Sequence, residues 1–226
     1  MSASSSSEPT PFEYNPSNDG TDTNLLILLH GLGDTAAPFG RLGKSLNLPQ
    51  TATLALSGPE SIPFDNLGEV IEHPNPTSAI TFLRECLKHL VETCGWRDED
   101  IHLFGFAQGG SVAGELALAL ARDGRRLGSI VSVCGPLYSF PAASSSTSSG
   151  IPVLVFDRLS AERSKAKAEA DAKAWRRGFA RVVYEMMPAG AGAGMPANKN
   201  EWGIIMAFWA DVLQRRMPDG VYPVRR

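Results

Sequence analysis

The chain has 226 residues, 43% of them hydrophobic and 20% charged, which is the composition of an ordinary soluble globule with enough material for one full core. A formal net charge of −3 gives no reason to expect nucleic acid as a partner. No apolar run approaches the length of a membrane span, the opening MSASSSSEPTPFEY is not a secretory signal, and the ends carry no lipidation signature. Cys86, Cys94 and Cys134 are odd in number and lack metal-ligand spacing. Reduced thiols in a cytosolic or nuclear protein are therefore expected, with the cytoplasm as the location and no metal or other cofactor.

Residues 1–23, rich in Ser, Pro and Asn, read as a disordered tail; a single domain is expected over 24–216 and a second tail over 217–226. Asn24 to Leu29 (NLLILL) is a continuous apolar run, the pattern of a strand buried on both faces. It leads into His30-Gly31-Leu32-Gly33-Asp34, and a helix follows around Phe39 to Leu46. Ala52 to Leu56 is the next strand, and 57–75 a long polar loop. Pro76 suits a first helical position with Asn75 as its cap, and Ile80, Leu83, Leu87, Leu90 and Val91 keep helical period up to Gly95.

Ile101 to Phe106 is a strand, Gln108 to Arg122 a helix packed behind it, and Ser129 to Val133 a further strand. Ser139 to Gly150 (SFPAASSSTSSG) is a low-complexity, flexible connection. A strand at Pro152 to Phe156 precedes a helix from about Ala161 to Phe179. That helix sets Ala168, Ala172, Trp175 and Phe179 on one face and a solvated set of charges, Arg163 and Asp171 among them, elsewhere. Val182 to Met186 is the last strand. Glu201 to Arg215 is an amphipathic helix with Trp202, Ile205, Trp209 and Leu213 inward.

This alternation specifies an α/β fold, a mostly parallel sheet with helices on both faces. Ligands of such sheets bind beyond the carboxyl ends of the strands. His30, Ser57, Ala107, Cys134 and Asp157 follow directly on strand ends and are expected to line that face.

Gly105-Phe106-Ala107-Gln108-Gly109 has the frame of a G-x-S-x-G nucleophile elbow, with alanine in the serine position. Together, His30-Gly-Leu-Gly-Asp34 and Gly105-Phe-Ala-Gln-Gly-Gly110 resemble the carboxylesterase, phospholipase and acyl-protein thioesterase family of α/β-hydrolases. That family carries HGLGD after its first buried strand and GFSQGG at its elbow. The resemblance runs from about Asn24 to Arg216 and implies an α/β-hydrolase fold without a large lid. It puts the backbone N–H groups of Leu32 and Gln108 at the oxyanion hole and Ala107 at the nucleophile. The family's acid, in an H-G-x-x-D pattern after the Pro-Val-Leu strand, falls on Ala161, with Asp157 and Glu162 as the neighbouring carboxylates. Its histidine follows the last strand, where Met187 to Met195 contains none; the last histidine of the chain is His102.

A deliberate Ser→Ala exchange would have left the acid and the histidine in place, so natural loss is the better account. Cys134 with His73 is the candidate for a relocated site, and His30, Asp34, His73 and Cys134 are candidates to line a pocket. Ser111 stands in the first helical turn, where bonding to backbone is the simpler role. His89 and His102 read as a helix-face and a strand residue. The resemblance and its departures together imply a non-catalytic protein that binds a protein partner or a small acyl-type ligand. The alternative is an active carboxylesterase or thioesterase with a rearranged site. A dry pocket beneath Ala107 would favour ligand binding, and one filled by Met187 or Met195 would favour scaffolding.

Overall fold

The computed structural model describes residues 12–58, 76–139, 149–189 and 194–216. Within them the strands β1 (Phe12–Asn15), β2 (Asn24–Leu29), β3 (Thr51–Leu56), β4 (Ile101–Phe106), β5 (Ser129–Val133), β6 (Ser149–Arg158) and β7 (Phe179–Met187) form one sheet. Its order is β1-β3-β2-β4-β5-β6-β7, and only β1 runs antiparallel. The helices are α1 (Ala36–Leu46), α2 (Thr77–Glu92), α3 (Gln108–Arg122), α4 (Lys165–Gly178) and α5 (Lys199–Val212).

Strand side chains alternate between two cores, as the two-residue period requires. On one face Leu25, Ile27, Leu103, Ile130, Val153 and Val155 meet α2, α3 and α4 through Leu87, Leu116 and Trp175. On the other, Leu26, Leu28, Phe104, Val131, Leu154 and Phe156 meet α1 and α5 through Phe39, Ile205 and Trp209. Every residue of β2 is buried, as expected of a strand covered on both faces.

Asn24, fully buried at the start of β2, joins distant parts of the chain. Its Nδ2 donates to the carbonyls of Gln50, at 3.1 Å, and Gln214, at 2.9 Å, and its Oδ1 accepts from the Gln214 N–H at 2.9 Å.

Several expectations change. Residues 12–23, expected within a disordered tail, are not part of one, because Phe12–Asn15 pairs with β3; residues 1–11 lie outside the described residues. Asp22 holds the Ser17 N–H and the Tyr14 hydroxyl, each at 2.8 Å, and so folds the following turn. β6 and β7 are longer than their apolar cores suggested, since polar residues at both ends continue the pairing. Phe179 belongs to β7 rather than to the preceding helix, and it stacks on Trp175. That helix starts only at Lys165, where the Ser164 side chain accepts from the Lys167 N–H, so Ala161 lies in the loop ahead of it. Phe208 joins Ile205 and Trp209 in the core. Asn75, most of the 57–75 loop, most of the 139–150 connection and the 217–226 tail lie outside the described residues.

Candidate functional site

From β2 the chain moves one way, to β3, and from β4 it moves the other way along the sheet. The carboxyl ends of these adjacent strands are the switch point at which a doubly wound sheet opens a crevice. Two loops meet there, His30–Asp34 after β2 and the turn at Ala107 after β4. A Cβ built on Gly31 would lie 3.1 Å from the Phe106 ring and 3.5 Å from the Ala107 methyl, so the loops touch.

Ala107 has φ 49° and ψ −116°, a conformation L-residues rarely adopt, and it opens α3 directly. The turn is locked from several sides. The Ala107 N–H donates to the Val133 carbonyl at 2.7 Å, and its own carbonyl accepts from Gly110 and Ser111. A Cβ on Gly105 would stand 2.3 Å from the Gly109 carbonyl, and one on Gly109 would stand 2.4 Å from the Leu29 carbonyl oxygen. Strand and helix approach closely only because both positions are glycine. The elbow is thus fully built, and it presents a methyl group.

Among the described residues no acceptor takes the N–H of Leu32 or of Gln108. Gln108 begins α3, where the first N–H groups have no partner inside the helix, and Leu32 is 37% exposed at the loop tip. His30 is committed to backbone. Its Nε2 accepts from the Gly58 N–H at 3.0 Å, which leaves Nδ1 protonated to donate to the Gly31 carbonyl at 2.7 Å. It therefore ties the end of β2 to the end of β3. The Asp34 side chain accepts from the Thr35 N–H at 2.8 Å at the entry to α1 and is exposed.

Cys134 follows β5 at φ 55°, and its thiol points to the Gly194 carbonyl at 3.8 Å. Burial pushes the thiol pKa up and the charge of Asp157 adds to this, so the sulfur stays protonated. Met187, Met195, Phe106 and Cys134 pack as half-buried residues against the core that contains Phe104 and Trp209. His73 lies outside the described residues. His89 is exposed on α2. His102 is buried at the opposite end of β4, with Nδ1 2.8 Å from the Ser129 hydroxyl.

Asp157 does not follow a strand end; it sits inside β6 and is 1% exposed. Arg163 grips it from Nη2, at 2.6 Å, and Nε, while the Tyr184 hydroxyl donates at 2.5 Å and the Arg158 N–H at 3.0 Å. Arg163 also donates to Asp171. Burial opposes the guanidinium's charge, but its bonds to Asp157 and Asp171 overcome this and hold the pKa above its ordinary value. Burial and the bond to Asp157 raise that of Tyr184. Arg163 and Asp171 are therefore not members of a solvated face. On the sheet's other side Arg158 pairs with Glu201 at 2.5 Å, and Glu201 also accepts from the Ala197 N–H at 2.6 Å. Ala161 and Glu162 are exposed in the 159–164 loop. The carboxylate cage was not foreseen; an arginine six residues after an aspartate in an apolar strand was its only trace in the chain.

Among the described residues no group of three His, Cys, Asp or Glu side chains is placed to hold a metal. No described helix is long and apolar enough to cross a membrane. An open cleft of about 680 Å³ lies at the other end of the strands, between Arg125, Arg126, Arg181 and Asp211, away from the elbow.

The sheet order, the strand–elbow–helix unit and the loop after β2 define an α/β-hydrolase fold. The chain belongs to the phospholipase/carboxylesterase family, whose sequence model matches residues 16–156. An uncharacterized hydrolase of Mycosarcoma maydis is 35% identical over 224 residues, covering 91% of this chain and 82% of that protein. Among solved structures, esterase PE8 superposes with a TM-score of 0.73 at 22% identity, covering 90% of this chain and 98% of that one. Zea mays acyl-protein thioesterase 2 superposes with a TM-score of 0.70 at 18% identity, covering 91% and 100%. At these identities the two structures speak for the fold alone.

Proposed function

We propose that this chain is a hydrolase-family member without acyl-transfer chemistry, and that it binds a protein partner or an acyl-type ligand at the crevice above Ala107. The observation that carries the reading is the methyl group at the tip of an otherwise complete elbow. Carbon with no lone pair cannot attack a carbonyl, and covalent catalysis needs a nucleophile with a base beside it. The surroundings support this. His30 spends both ring nitrogens on backbone, Cys134 is held as a thiol, and Asp157 is locked by Arg163 and Tyr184. The family match also stops at residue 156, just before the stretch where the acid and the histidine belong.

The N–H groups of Leu32 and Gln108, without an acceptor among the described residues, are the proposed remnant of the oxyanion hole. Without a nucleophile no oxyanion forms, so the ~3 kcal/mol that one such donor gives a transition state has no use there. The same donors still suit a carbonyl or carboxylate oxygen of a bound ligand. Met187 and Met195, half-buried against the same core as Phe106 and Cys134, favour a shallow protein-binding surface over a deep acyl pocket. The three free cysteines support a reducing, cytoplasmic setting.

The test is a rapid-mixing assay of the purified chain with activated esters and acyl thioesters. Release at the rate of a heat-denatured control is expected. A stoichiometric acyl burst, mapped by mass spectrometry to any residue, overturns the reading in favour of a rearranged active site. His73 would then be the first residue to replace.

A further inference from the structure

The sheet ends at β7, which pairs with β6 on one side and, among the described residues, with nothing on the other. Nine residues of open strand are normally shielded by charge, proline or a bulge. Here the charges fall in an ordered pattern. The Leu159 N–H donates to the Met187 carbonyl, so Met187, Glu185, Val183 and Arg181 turn their backbone groups toward β6. Val182, Tyr184 and Met186, alternating with them, turn theirs outward.

Tyr184 and Val182 point their side chains to the α4 face, where Tyr184 meets Asp157. Arg181, Val183 and Glu185 therefore share the opposite face, where α5 packs on β6. Val183 is 41% exposed there. Neither Arg181 nor Glu185 has an ion-pair partner among the described residues. The edge thus reads cation, apolar residue, anion, at alternate positions on one face.

That order is complementary to itself when reversed. We propose that β7 pairs antiparallel with β7 of a second copy of this chain, on a two-fold axis through Val183. Val183 then faces its equivalent as a pair without mutual hydrogen bonds, the closer of the two pairings. Val182 and Tyr184 exchange backbone bonds across the axis with Tyr184 and Val182 of the other copy. Arg181 of each chain stands opposite Glu185 of the other, twice by symmetry. The other edge, β1, has four residues and no such alternation of charge, so it offers no equivalent self-match.

Sedimentation of the full-length chain across micromolar concentrations tests this. The wild type is expected to dimerise. Arg181→Glu and Glu185→Arg place like charges opposite each other at both symmetric positions, and each should raise the dimer Kd about 10- to 100-fold. Carrying both changes restores the complementarity and the dimer, and mixing the two single variants should give a heterodimer. Amide exchange of the wild type needs no variant: Val182 and Tyr184 should exchange more slowly as concentration rises, while their neighbours Arg181 and Val183 change little. A wild type that stays monomeric, single reversals that leave the dimer intact, a double reversal that fails to restore it, or Val182 and Tyr184 exchange independent of concentration overturns the proposal.

Discussion

Arg163 lies against Asp157 with Nη2 2.6 Å from one carboxylate oxygen and Nε within reach of both, so a nearly inaccessible anion is matched by a two-pronged cation. Removing one partner of such a pair leaves a buried charge unmatched, which typically destabilises by ~3–5 kcal/mol. Arg163→Met is expected to lower stability by about that much in urea unfolding. Replacing Asp157, Arg163 and Tyr184 together by apolar residues of similar volume should recover most of it. A loss under ~1 kcal/mol for Arg163→Met would mean that water reaches Asp157 and the cage matters little.

Ala107→Ser should fold and remain nearly inert. The elbow already accommodates a side chain at φ 49°, but a serine hydroxyl needs a base to take its proton. Binding and oxyanion donors alone retain ~10³-fold over water, far short of a working triad. Among the described residues a Cβ on Gly194 would meet nothing within 4 Å, and the Gly194 carbonyl lies near Cys134, so Gly194→His is a place to supply the base. The double variant should exceed Ala107→Ser in ester turnover. Turnover by Ala107→Ser alone on the order of 10 s⁻¹ would show that a base is already in place.

Gly105→Ala and Gly109→Ala are expected to destabilise by roughly 3 kcal/mol or more, because each new methyl group meets backbone that cannot swing aside. Ala107→Gly should have the opposite sign or none, since glycine relieves the unfavourable backbone conformation by up to ~1 kcal/mol. Thermal unfolding of the three variants separates these outcomes, and a tolerated Gly109→Ala would contradict the close strand–helix approach.

Burial pushes the His102 pKa down to about 4 from its ordinary value near 6.5, and Asp100 offsets this only in part. The unfolded chain therefore binds the proton more readily. Stability is full above pH ~6.5 and declines as pH falls toward 4, by about 3 kcal/mol from this one group. Urea unfolding at intervals from pH 7 to 4.5 should show the decline, and His102→Asn should flatten it. Parallel curves for the two proteins would assign the acid sensitivity elsewhere.

The central strands and the elbow were legible because burial on both faces leaves unbroken apolar runs such as NLLILL, and because glycines mark where backbones touch. β1 was not legible, since Phe12 and Tyr14 alternate with Glu13 and Asn15 over only four residues, too short a run to announce a strand, and both aromatic side chains stay exposed. The beginning of α4 was misplaced because helical period continues upstream through Ala161, and only the bond from Lys167 to Ser164 stops it. At the site, the placement of Ala107 beside the His30 loop follows from motif order alone. The fixed tautomer of His30 and the cage around Asp157 depend on Gly58, Arg163 and Tyr184, which folding brings together from remote positions.

The amide of Asn24 has a consequence for synthesis on the ribosome. β2 is the first strand of the parallel part of the sheet to emerge, yet its buried Asn24 finds its partner at Gln214, 190 residues later. At ~5–20 residues per second the interval is about 10 to 40 s. Through that time Asn24, at the start of a strand buried along its whole length, has one end of its side chain unmatched. The sheet's middle can assemble while the chain is still growing, but it is sealed only when the segment after α5 arrives and closes over Asn24.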